Sequence, residues 1–147
     1  MEIERKFLVN KLPEDLESYP SALIEQGYLS GSPVVRVRQD GDSYYLTYKG
    51  AGLVAREEYN LPLTAVSYAH LLKKADGRII TKRRYRIPYL RYVIELDVFS
   101  GDFDGLVIAE VEFESLEDAD AFTPPDWFGE DVSRDLRYHN SVMALGS

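Results

Sequence analysis

Cysteine is absent from the chain. That removes disulfides, thiolate zinc sites and a cysteine nucleophile together, and it fits a reducing, cytoplasmic setting. Histidine is scarce: His70 and His139 are far apart and lack the spacing of a metal pair, so an imidazole-built metal centre is not expected. No apolar run approaches the length of a membrane span, and no basic segment followed by an apolar one opens the chain, so neither a membrane segment nor a secretory signal is expected. Positive charge is in deficit, with 17 Lys and Arg against 25 Asp and Glu and a net charge of −8. Global attraction to nucleic acid or to anionic lipid is thereby excluded as the basis of function, although a local basic site is not. There is no Walker-type glycine loop to cradle phosphate, and Gly50-Ala51-Gly52 reads as a turn. Repeats, low-complexity tracts and linkers are missing too.

What remains is a chain of ordinary globular composition, 45% hydrophobic and 29% charged, and its 147 residues are read as one domain over residues 1–147. Much of it alternates with period two, and 11 tyrosines suit strands. Eight runs separate at turn signals: Glu2 to Val9, Ile24 to Leu29, Val34 to Arg38, Tyr44 to Lys49, Arg56 to Leu61, Arg78 to Pro88, Tyr92 to Phe99 and Leu106 to Glu114. Asp40-Gly41-Asp42 predicts a hairpin, and Asp102 to Gly105 predicts a second antiparallel pair. Short helices are expected around Pro13 to Leu16, from a Thr64 cap to a stop at Gly77, from a Ser115 cap to Phe122, and after Ser133 through Met143. Ser141 to Ser147 reads either as a tail or as a short helix closing one tunnel mouth. The class is all-β or α+β, a barrel or a sandwich.

Successive strand residues face opposite sides, so each charge can be assigned a face. Glu2, Glu4 and Lys6 share one; Arg36 and Arg38 share one; Thr47 goes with Lys49, and Arg56 with Glu58 and Asn60. Arg78, Lys82, Arg84 and Arg86 align, as do Glu95 with Asp97 and Glu110 with Glu112 and Glu114. Tyr45, Tyr59 and Tyr85 are assigned to the opposite, core-forming faces. Soluble surfaces usually intersperse both signs, whereas here sign is sorted by strand, and like charges on neighbouring strand positions repel. A polyanion held by the bases and a divalent cation held by the acids would relieve that repulsion together, and a closed sheet would let both sets converge on one lumen.

Guanidinium forks and lysine point charges suit phosphate, and so many of them suit several linked phosphates better than one. The acids offer only hard oxygen ligands, which favours Mg²⁺ or Mn²⁺ over zinc, with room in the chemistry for two ions. Lys82, among neighbouring cations, has its pKa lowered; it can accept a proton from water or simply pair with phosphate.

The ordered series Glu2-Ile3-Glu4-Arg5-Lys6, Val35-Arg36-Val37-Arg38, Tyr48-Lys49, Arg56-Glu57-Glu58-Tyr59, Thr81-Lys82-Arg83-Arg84-Tyr85, Glu95-Leu96-Asp97-Val98-Phe99 and Glu110-Val111-Glu112-Phe113, ending with Trp127-Phe128-Gly129 and Val132-Ser133-Arg134-Asp135-Leu136-Arg137-Tyr138-His139-Asn140, resembles the CYTH superfamily of triphosphate tunnel metalloenzymes along essentially the whole chain. The resemblance implies an α+β fold, an eight-stranded antiparallel closed β-barrel or tunnel with a charged interior and short helices outside. It implies that Lys6, Arg36, Arg38, Lys49, Arg56, Lys82 and Arg84 contact phosphate. Glu2, Glu4, Asp97, Glu110 and Glu112 would be the metal-site acids, with Glu58 and Glu95 in support. Lys82 falls where related short bacterial members place a lysine proposed to help activate water. Arg83 stands where the related motif has Thr, and by alternation it points away from the lumen; Arg134 is basic where relatives are often acidic. The short members resembling this chain are Mg- or Mn-dependent inorganic triphosphatases cleaving tripolyphosphate to pyrophosphate and phosphate. Class IV adenylate cyclases, thiamine triphosphatases and a non-catalytic polyphosphate-binding module are the alternatives. A small-molecule triphosphate is the expected partner, not nucleic acid or membrane, and the oligomeric state, a homodimer being one option, is left open.

Overall fold

The computed structural model describes residues 1–146. Ten strands are present: β1 (Glu2–Val9), β2 (Ser21–Gly31), β3 (Val34–Asp40), β4 (Ser43–Lys49), β5 (Ala55–Arg56), β6 (Glu58–Pro62), β7 (Asp76–Tyr89), β8 (Tyr92–Ser100), β9 (Val107–Glu112) and β10 (Phe128–Asp131). They are joined antiparallel in the order β10-β1-β9-β8-β7-β2-β3-β4-β6. The path closes on itself through one kinked segment. Ala55 and Arg56 pair with Ile3 and Glu2 of β1, while Glu58 onward pairs with β4. Residues 55–62 therefore act as a single wall, which makes the eight walls that the sequence predicts, with β10 added on the free edge of β1 beyond β5. A closed sheet has no exposed edge to template aggregation.

The turns follow from local chemistry. Gly41 takes φ +58° between β3 and β4, a conformation open to glycine. Helix α1 (Ala65–Leu72) starts where Thr64 Oγ1 accepts from Ser67 N at 3.0 Å and Ser67 Oγ accepts from Thr64 N at 2.9 Å, a reciprocal cap made with serine. It stops at Leu72, not at Gly77. Gly77 instead lies inside β7 with φ +65°, beside the register shift between β2 and β7. Ser115 caps α2 (Leu116–Ala121) as predicted. The expected helix at Pro13 reduces to one 3₁₀ turn, Leu16–Ser18. The last segment forms a 3₁₀ turn, Leu136–Tyr138, and then α3 (Asn140–Leu145); Ser147 lies outside the described residues.

Two apolar clusters hold the barrel, and they divide by face. The larger sits outside β1, β9, β8 and β7, where Phe7, Ile94, Leu96, Ala109 and Val111 are covered by Phe122 and Phe128. Full burial of each such aliphatic or aromatic side chain contributes roughly 1.5–3 kcal/mol. The smaller lies inside one end of the barrel: Tyr28, Val34, Ile80, Phe99 and Ile108 point inward and meet Ala144 of α3. The lumen is thus apolar and capped at the α3 end, and charged above it. Among the described residues no helix is long and apolar enough to cross a membrane.

Candidate functional site

The strand register converts the sorted charges into rings. Glu2 lies opposite Arg56, Glu4 opposite Glu112 and Lys6 opposite Glu110. Arg84 lies opposite Asp97, Glu95 opposite Glu110, and Lys49 opposite Glu58. These inward side chains enclose a polar chamber with a cavity volume of about 60 Å³, and Glu2, Glu4, Lys6, Arg36, Arg38, Lys49, Arg56, Glu58, Lys82, Arg84, Glu95 and Glu110 all line it. The volume is small because opposite charges reach across and pair. Lys49 Nζ stands 2.9 Å from Glu2 Oε1 and 3.4 Å from Glu58 Oε2. Lys6 Nζ lies 3.5 Å from Glu110 Oε1 and donates to Tyr138 O at 3.1 Å. Arg84 donates to both oxygens of Asp97, at 2.8 and 2.9 Å, and reaches Glu95 at 3.2 Å.

Lys82 is 1% exposed. Its Nζ contacts Asp97 Oδ2 at 2.8 Å and Asn140 Oδ1 at 2.9 Å, and lies over the Phe99 ring. Burial pushes its pKa down to about 7, with Arg84 and Arg38 acting in the same direction and Asp97 opposing them. Burial, with Arg36 and Arg84 close by, lowers Arg38 to about 10. On the acidic side, burial and the charge of Glu4 raise Glu2 to about 8 despite the nearby Lys49. Burial and Glu110 raise Glu4 in turn. Glu110 runs the other way: Lys6, Arg84 and Lys82 outweigh its burial and hold it well below the ordinary carboxylate range.

Two features ask for a ligand. Arg36 Nε is buried without a hydrogen-bond partner, although Nη2 of the same group donates to Thr47 Oγ1 at 3.2 Å; a buried unpaired N–H suits an incoming anion. Glu2 and Glu4, both driven toward protonation where they stand, suit a cation. The donors near them are hard carboxylate oxygens, which fit Mg²⁺ or Mn²⁺. Among the described residues no three carboxylate or imidazole groups already form a cage for an ion. A Mg²⁺-type site takes one or two carboxylates and completes its shell with water and substrate phosphate.

The structure brings together all seven expected phosphate-binding bases and most of the expected acids. Two acids stand apart. Asp97 is 0% exposed with both oxygens taken by Arg84 and Lys82, so it fixes those cations and does not face the chamber. Glu112 is exposed at the rim, where it lines a separate cavity of about 400 Å³ with Arg86 and Glu95. Arg78, assigned to the inner face, is exposed, and Arg86 sits at the mouth bridged to Asp40 at 3.3 Å. Arg83 points outward and exposed, as alternation predicts. Of the tyrosines assigned to the core, Tyr85 is buried, Tyr59 is 57% exposed and packs on Tyr48, and Tyr45 lines a rim cavity with Arg36 and Arg38. Tyr45 shares the parity of Thr47 and Lys49, which is why it faces inward. Sequence reasoning gave no chamber role to Tyr28, His139 or Asn140, which line it, nor to the fully buried Gln26 behind them. Gln26 did carry a signal, being polar between the inward-facing Ile24 and Tyr28.

A closed antiparallel barrel with bases and acids converging on one buried chamber defines a charged-tunnel barrel whose interior chemistry suits a polyanion. The pattern of the CYTH domain matches residues 1–141, and the chain belongs to that family. It is 41% identical over 150 residues to an inorganic triphosphatase of Nitrosomonas europaea, across 98% of this chain and 97% of that protein. It is 37% identical to an inorganic triphosphatase of Acetivibrio thermocellus, across 97% of this chain and 92% of that protein. The fold superposes on a crystal structure of an inorganic triphosphatase with a TM-score of 0.74 at 37% identity, covering 100% of this chain and 96% of that one. A Pyrococcus horikoshii protein at 20% identity shares the fold alone, with a TM-score of 0.62.

Proposed function

We propose that the chain is a metal-dependent inorganic triphosphatase, hydrolysing tripolyphosphate to pyrophosphate and phosphate. The observation that carries this reading is the ring of seven bases around one chamber, with Arg36 Nε left unpaired, in a protein whose net charge is −8. So concentrated a cluster in an acidic chain supports a compact polyanion as ligand. Lys6, Arg36, Arg38, Lys49, Arg56 and Arg84 hold phosphate oxygens, replacing the internal pairs that now satisfy them. Lys82, kept near neutrality by burial, accepts a proton from the attacking water. The water oxygen then bonds to a terminal phosphorus, the bridging P–O bond breaks, and pyrophosphate leaves. Glu2, Glu4 and Glu110, with Glu112 at the rim and Glu58 and Glu95 in support, are the acids that would hold Mg²⁺ or Mn²⁺. Such an ion supplies charge neutralisation on the phosphoryl oxygens and the leaving group.

The test is a panel of tripolyphosphate, ATP and thiamine triphosphate with Mg²⁺ or Mn²⁺ and identification of products. Tripolyphosphate should be cleaved fastest; preference for an organic triphosphate, or cyclic AMP as product, refutes the assignment. Lys82→Met should still bind tripolyphosphate and lose about 10²- to 10⁴-fold in kcat. Wild-type turnover in that variant removes Lys82 from the chemistry.

A further inference from the structure

Asn140, the first residue of α3, is buried and lines the chamber. Its Oδ1 accepts from Lys82 Nζ at 2.9 Å and from Gln26 Nε2 at 3.3 Å. Gln26, fully buried on β2, accepts from Arg38 Nε through its own Oε1 at 2.8 Å. The direction of this chain is forced from both ends. The Lys82 amine and the Arg38 guanidinium present N–H groups, so each amide must turn its oxygen toward its cation. That leaves Gln26 Nε2 as the group facing Asn140, where an oxygen already waits. Two side-chain amides from separate elements thus fix the relative placement of two like-charged groups that serve one ligand.

The consequence falls on Lys82. A tetrahedral amine nitrogen has one bond to carbon and three other directions. Asp97 takes one and Asn140 a second. In either protonation state only one direction remains, and it is fixed. With Asp97 alone, Nζ could rotate about that contact and turn its remaining directions away from the chamber. We infer that Asn140 is a positioning residue for Lys82, supplied by the closing helix, so that the segment shutting the barrel also aims the amine. This rests on the triphosphatase reading above.

The experiment compares wild type, Asn140→Ala and Asn140→Asp, the last keeping an acceptor oxygen in place. It measures kcat and KM on tripolyphosphate, tripolyphosphate affinity without metal by titration calorimetry, and melting temperature. Asn140→Ala should lose about ten- to a hundredfold in kcat, the range of one hydrogen bond to a charged group, with KM and metal-free affinity within about threefold. Asn140→Asp keeps the acceptor oxygen but adds a charge that favours the protonated amine, so it should restore only part of that loss. Where the alanine variant does not fold, Asn140→Ser replaces it, since its hydroxyl suits a helix start but is too short to reach Lys82. The inference is overturned if kcat per folded molecule is unchanged. It is equally overturned if KM and affinity weaken while kcat holds, because Asn140 would then be a substrate contact. If wild type itself neither binds nor cleaves tripolyphosphate, the triphosphatase reading fails and the inference fails with it.

Discussion

Asp97→Asn is the sharpest perturbation of the chamber. The substitution keeps shape and removes one charge from a fully buried carboxylate that holds Arg84 through two hydrogen bonds and Lys82 at 2.8 Å. An amide there can offer its oxygen to one cation only and must turn N–H groups toward the other. Removing one partner of a buried ion pair costs about 3–5 kcal/mol. The lower end applies here, since Arg84 keeps Glu95 at 3.2 Å and Lys82 keeps Asn140 at 2.9 Å. For a domain of this size each kcal/mol moves the melting temperature by about 2–4 °C, so a drop of about 6–12 °C is expected. The same change leaves the chamber more positive, so metal-free tripolyphosphate should stabilise the variant more than the wild type. A ligand at a hundred times its Kd adds about 2.7 kcal/mol, and tighter binding adds more at equal concentration. The assay is thermal melting in chelator, with and without tripolyphosphate. The pH sign follows from the depressed Asp97 pKa, for which the Arg84 and Lys82 charges outweigh burial. The stabilisation is fully present above the unfolded carboxylate value of about 3.9 and disappears as pH falls through the folded one, so the gap between wild type and variant should be flat from neutral pH to mild acid and close only below. A melting temperature within about 2 °C of wild type, against the 6–12 °C expected, refutes the account of Asp97 as the buried anchor of two cations.

Two further outcomes follow. His139 donates through Nε2 to Ser133 O at 3.1 Å, and burial with Lys6 and Arg56 nearby lowers its pKa. The unfolded chain therefore takes up a proton that the folded chain refuses as pH falls below about 6.5, and His139 costs stability there; urea unfolding at pH 7.5 and 5.5 should show His139→Gln gaining on wild type at the lower pH, and no relative gain contradicts the buried neutral ring. At Gly77, φ is +65° and an added Cβ would strike the carbonyl of Ala144 in α3, so Gly77→Ala should lose about 1–3 kcal/mol in equilibrium unfolding, and wild-type stability would show that α3 does not rest on that glycine.

Much of the fold was legible because a closed barrel imposes strict alternation. Wherever a strand has barrel on both sides, one residue in two must face the lumen, and the charges of β1, β3 and β8 obeyed that rule residue by residue. The readings failed where the alternation lapses or the strand leaves the barrel. Arg78 lies next to the irregular pairing of β2 with β7, so its parity does not carry back from Lys82. Glu112 ends β9 at the rim, where the inner face meets solvent. Strand β10 has four residues after Pro124-Pro125, too few to show a period. The helix from Thr64 ended at Leu72, short of Gly77, which is instead a strand residue against which α3 packs closely. Asn140 stood in the C-terminal segment of the family resemblance, Val132 to Asn140, with no role attached to it: nothing in the string around it tells that the chain returns there to a lysine on β7.

The same geometry explains how a chain of net charge −8 can present a polyanion site. Seven bases in one small chamber would be ruinous if left alone, since like charges at low dielectric repel strongly. The acids of β1, β8 and β9 cross the lumen and pair with them, at 2.9 Å for Lys49 with Glu2 and 2.8 Å for Arg84 with Asp97. Burial is tolerated because each base but Arg36 has a carboxylate or amide partner; among the described residues Arg36 has the Thr47 hydroxyl alone, with its Nε unpaired. An anion that displaces these partners frees the carboxylates beside it, and freed carboxylates in a buried space need a cation. On the proposed reading, polyanion and divalent metal would then be not two independent ligands but two halves of one exchange, each removing the charge imbalance that the other creates. That exchange would favour a short, dense polyanion, because a single phosphate would leave most of the internal pairs closed and would expose too few carboxylates to hold an ion.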